Sequence, residues 1–82
     1  MIHDLKCSPE LYVRVLDGSK KFEIRFADRD YRPGDFLILR EYDHVKDVYS
    51  GRIIIVNVGY VLTAKQFPGI APGYVAMTIS KK

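Results

Sequence analysis

The six residues from Lys21 to Phe26 alternate without a break between charged and apolar side chains. Phe22, Ile24 and Phe26 take one phase; Lys21, Glu23 and Arg25 take the other. Successive side chains of a strand point to opposite faces, so this stretch has the period of a half-buried strand. An amphipathic helix would need repeats of three and four instead. A lone strand has no independent stability, so the rest of the chain must supply its sheet.

It does so with further apolar, β-branched segments. Ile2 to Cys7 suggests a short first strand. Ser8-Pro9-Glu10 is a helix start: Ser can cap free backbone N–H groups, Pro suits the first position, and Glu complements the positive helix end. Leu11, Tyr12, Val15 and Leu16 fall at helical spacing on one face, and Gly18 fits the left-handed residue that ends a helix, which predicts a helix over Pro9 to Asp17. The charged stretch from Ala27 to Pro33 is a loop, and Pro33-Gly34-Asp35 is a turn. Asp35 to Tyr42 is a strand, with Arg40 on the same side as Phe36, Ile38 and Tyr42. Asp43 to Ser50 is a hairpin loop, and Arg52 to Leu62 a long strand whose Gly59 marks a bulge or bend. Residues 63–73 hold two Pro and two Gly and form a loop; Tyr74 to Ile79 is the last strand. The expected fold is α+β and mainly β: one domain over residues 1–82, a small partly closed barrel of about five strands with one N-terminal helix.

A domain of 82 residues buries only roughly 60–65% of its unfolded surface, so its core must be dense, and the 48% apolar content allows that. No apolar run approaches the ~18 residues of a membrane span, and the first residues lack the pattern of a secretory signal. A single cysteine, Cys7, cannot form an internal disulfide, so a cytoplasmic location is expected. Net charge is +3 and unevenly spread: the first 47 residues carry nine Lys/Arg against ten Asp/Glu, whereas Val48 to Lys82 carries four cations and no carboxylate. A basic half suits phosphate binding, although four charges also serve solubility alone. His3 and His44 lack metal-ligand spacing, and no nucleophile triad or Gly-rich phosphate loop is present, so no metal or cofactor is expected. Nothing in the pattern fixes an oligomeric state.

Gly18-Ser19-Lys20-Lys21-Phe22-Glu23-Ile24-Arg25 matches Gly-x-Lys-x-x-Glu-x-Arg, placed after a short helix and running into a strand. With Arg29, Tyr31, Gly34-Asp35, Arg40-Glu41-Tyr42, Tyr49-Ser50-Gly51-Arg52 and Gly73-Tyr74-Val75, the chain resembles the ASCH family of the PUA-like superfamily, in its compact bacterial and phage branch. The resemblance implies a PUA-like barrel with a cleft beside the motif that binds RNA. One small bacterial branch of that family instead hydrolyses the acetyl group of N4-acetylcytidine. Its motif Lys matches Lys20, but Glu23 stands where it has Thr, and no carboxylate follows Asp47 to supply its further Glu.

Two accounts of the motif stay open on the sequence. Glu23 and Arg25 form either a solvated surface pair worth ~0–1 kcal/mol or part of a cleft wall, with Arg25 offering a planar donor fork. Gly18 serves as a helix cap, as a point of close ligand approach, or as both. Lys20 suits phosphate as a point charge and would need a lowered pKa to act as nucleophile or base. Among the tyrosines, Tyr42 and Tyr74 are the candidates to touch a base, beside Arg40. The expected ligand set is thus Gly18, Lys20, Glu23, Arg25, Arg40, Tyr42 and Tyr74, serving RNA or a nucleotide-like molecule. A small amidohydrolase using Lys20 and Glu23 is the alternative.

Overall fold

In the computed structural model, which describes every residue from Met1 to Lys82, the alternating segment is an edge strand of a five-stranded sheet. The elements in chain order are β1 (Ile2–Cys7), α1 (Pro9–Leu16), β2 (Phe22–Phe26), β3 (Phe36–Asp43), β4 (Val48–Thr63) and β5 (Tyr74–Lys81). The fold is mainly β, as expected: a sheet curled into a half-barrel with one short helix. No helix is long and apolar enough to cross a membrane.

The strand order is β1-β3-β4-β5-β2. β1 runs parallel to β3, and the other pairs are antiparallel. β4 reaches across the sheet, its first part pairing with β3 and its last part with β5. The register shifts between Val58 and Val61, where Gly59 was expected to bend the strand. A Cβ at Gly59 would come within 2.6 Å of Thr78 Oγ1, and that hydroxyl accepts the Tyr60 N–H at 2.8 Å. Glycine is needed there for close approach of two strands.

The core is built from Leu37, Leu39, Val56 and Met77 on the sheet, covered by Tyr12 and Val15 of α1. Leu11 and Leu16, expected on the buried helix face, remain close to half exposed. An eight-residue helix makes barely two turns, and here only the narrow stripe of Tyr12 and Val15 is buried. Ser8 occupies the cap position but makes no side-chain cap hydrogen bond. Gly18 is left-handed at φ 83°, as expected of a helix terminator.

The alternation of β2 is real, but its sense is reversed. Glu23 is buried, whereas Phe22, Ile24 and Phe26 are each more than half exposed. The register with β5 explains this. Glu23 pairs with Met77 and Arg25 with Val75, both interior residues; Phe22, Ile24 and Phe26 pair with Thr78, Ala76 and Tyr74. Opposed residues share a face, so the apolar phase of β5 dictates that of β2. On β3, Leu37 and Leu39 point inward, whereas Arg40 and Tyr42 share the outer face, as expected. Tyr42 is nonetheless buried there, packed against Tyr49, His44 and Lys6 and outside the main core. The expected loop from Asp43 to Ser50 also shrinks to a turn, with Asp47 at φ 55°, because β4 begins at Val48.

Asp35 ties the Gly34–Asp35 turn to β1. Its carboxylate meets His3 Nε2 at 2.7 Å and accepts the Arg32 N–H at 3.0 Å. The His3 hydrogen bond, above all, lowers its pKa from 3.8 to about 2. A carboxyl whose folded pKa is depressed stabilises the fold above its unfolded pKa and loses that contribution as pH falls through the folded one. We expect Asp35→Asn to lower stability by about 2 kcal/mol at pH 6. The gap to the wild type should close between pH 4 and pH 2, as measured by urea denaturation across that range.

Candidate functional site

The motif forms one connected cluster. Glu23 projects inward from β2, its carboxylate buried. Lys20, in the turn after α1, donates to Glu23 Oε1 and, at 2.7 Å, to the Phe22 carbonyl. Arg25 Nε donates to Glu23 Oε2 at 2.7 Å. Its Nη2 crosses to the Lys6 carbonyl of β1 at 2.8 Å. β1 and β2 are the two free edges of the sheet, so this last bond bridges the seam of the half-barrel. Both carboxylate oxygens are therefore engaged. One of the three Lys20 donors and three of the five Arg25 donors are left over.

A groove of about 690 Å³ opens beside this cluster. It is walled by the end of β1, by α1 and by β2. Lys6, Arg14, Lys20 and Arg25 contribute cations, Glu23 the one carboxylate, and Leu11, Phe22 and Ile24 an apolar wall. The size is that of a small-molecule site, about 300–1,000 Å³. Cys7 lies in the wall but is almost fully buried; desolvation raises its thiol pKa, and the nearby Glu23 charge adds to the rise.

The seven expected ligand residues separate. Lys20, Glu23 and Arg25 come together at the groove. Gly18 faces a smaller hollow of about 210 Å³ on the other side of Lys20, and a Cβ there would meet nothing within 4 Å. It serves the turn through its positive φ. Arg40 lies on the outer face of β3, where its Nε donates to Asp4 at 2.7 Å. Tyr42 is buried beneath Lys6, whose Nζ sits 4.3 Å from its ring centre. Tyr74 stacks edge-on against Phe26, outside the groove. Sequence reasoning missed Lys6, Arg14 and Phe22. Lys6 was legible as the outward phase of β1, but Phe22 was hidden by the reversed face of β2. Arg52, which forks onto buried Glu41 through two bonds of 2.9 Å, is structural.

Comparison with known proteins gives the family. Residues 2–79 match the family described as Domain of unknown function (DUF3850), and the chain belongs to it. It is 43% identical over 57 residues to the "Uncharacterized 12.9 kDa protein in GpA 3'region" of Escherichia phage P2. That alignment takes in 70% of this chain and 50% of the phage protein, so the chain spans about half the length of the relative it matches.

Removing the central carboxylate leaves two cations facing each other without a counter-charge. Breaking a buried pair in this way costs about 3 kcal/mol. We expect Glu23→Gln to lose about that much stability in urea denaturation, whereas Arg14→Ala, on the exposed rim, should change it by less than ~0.5 kcal/mol.

Proposed function

We propose that this chain is a small ASCH-type domain of the PUA-like superfamily that binds RNA or a nucleotide-like ligand in the motif groove, without catalysing a reaction. What carries this is the make-up of the groove: four cationic side chains and a half-exposed aromatic ring around a carboxylate already neutralised by two of those cations. Phosphates need fixed positive charge, and an unpaired base needs a flat apolar face. Phe22 offers such a face, with Lys20 Nζ 5.2 Å from its centre. Glu23 acts by holding Lys20 and Arg25 in place. Lys6 and Arg14 add charge at the rim, and their removal leaves the Glu23 cluster intact. A cytoplasmic location accords with such a ligand.

Hydrolysis of an N4-acetylated cytidine is the alternative, since Lys20 and Glu23 lie side by side on the wall. Against it, Glu23 is occupied by two cations, and Lys20 spends two of its three donors.

The test is a titration of single-stranded RNA, followed by fluorescence anisotropy at two salt concentrations, against the wild type and Lys6→Glu/Arg14→Glu. Wild-type binding should weaken with salt, and the double variant should bind at least ~10-fold less tightly with a shallower salt dependence. Equal affinity for both proteins would remove the groove from the explanation. Release of cytidine from N4-acetylcytidine above the buffer rate would favour the hydrolase.

A further inference from the structure

We infer that the ligand of this domain is an extended single strand of several nucleotides, lying along the β1–β2 seam across Arg25 and not confined to the motif groove. This rests on the nucleotide-binding function proposed above and adds a second subsite to it.

Arg25 spans the seam as a strut, and a depression lies on either side of it. The first is the motif groove. The second, of about 370 Å³, is lined by Lys6, Phe26, Arg29 and Tyr31 together with Asp4 and Asp28. Lys6 and Arg25 line both, so the two depressions adjoin across the Arg25 strut. Each carboxylate of the second already has a cation. Asp4 accepts from Arg40 at 2.7 Å, and Asp28 accepts from Arg29 at 3.2 Å. The seam therefore presents Lys6, Lys20, Arg25 and Arg29 with no uncompensated carboxylate between them.

The reversed face of β2 gives the strip its second component. Phe22 lines the first depression and Phe26 the second, with Ile24 between them on the same outer face. All three are more than half exposed, a large apolar outlay for the outside of so small a domain. Four residues along a strand put the two rings about 13 Å apart. That spacing leaves room for more than one nucleotide. Alternating flat apolar faces and cations is how single strands are held without sequence readout, and sites on small barrels start at about 4 nucleotides. A duplex would keep its bases stacked inside and away from the rings. A purely apolar partner, such as a second copy packed through the stripe, would leave Lys6 and the surplus positive charge of the Lys20–Glu23–Arg25 cluster without complement.

The test uses the full chain and oligouridylates of one, two, four and six nucleotides, with matching oligothymidylates to separate RNA from DNA. Affinity should rise at least ~10-fold from two to four nucleotides. In Phe26→Ser and Arg29→Ala, whose folding is checked by thermal melting, the ratio of four-mer to two-mer affinity should fall to near one. A two-mer and a six-mer bound equally well by the wild type would overturn the inference while leaving binding in the groove intact. No binding of any oligomer would overturn the groove function as well. Concentration-dependent dimerisation that Phe26→Ser abolishes, with no length dependence, would assign the stripe to a second copy.

Discussion

The buried Glu23 carboxylate organises this small fold. It sits among apolar side chains on the inner face of an edge strand, where an unpaired charge would be costly to hold. Lys20 neutralises it from the helix turn and Arg25 from the same strand. Arg25 then reaches the Lys6 carbonyl, so one charged cluster fixes the end of α1, β2 and β1 relative to one another. The sheet has two free edges and no continuous ladder joining them. The cluster supplies a connection there that backbone pairing does not.

That arrangement reconciles the two meanings a charged motif on a strand can have. The three groups are neither a solvated surface pair nor bare ligand contacts. They are a structural clamp with spare donors, set in the wall of a groove. The exposed rim charges, Lys6 and Arg14, are free of that structural duty. A variant of Glu23 therefore tests the fold, and variants of the rim test the ligand.

Much of the fold was legible because its signals are local. Five strands, one helix, the left-handed Gly18 and the bend at Gly59 all follow from periodicity and glycine chemistry. What failed was non-local. Which face of β2 turns inward depends on Val75, Met77 and Ile79, some fifty residues away, and no window around Phe22 contains them. The burial of Tyr42 on the outer face is likewise non-local, since Lys6 of β1 and Tyr49 of β4 cover it. Arg40, Tyr42 and Tyr74 are candidates by residue type and not by position, so their separation from the groove is not visible in the sequence, whereas Lys20, Glu23 and Arg25 are held together by short-range spacing.

The order of the strands also bears on how the chain reaches this state. β1 and β2 are consecutive along the sequence yet occupy opposite ends of the sheet, with β3, β4 and β5 between them. Neither has its ladder until a partner from later in the chain is in position. The bridge across the seam thus depends on contacts of long sequence separation, the kind that assemble slowly. A nascent chain released only as far as β2 would have its motif complete in sequence and no sheet to set it in.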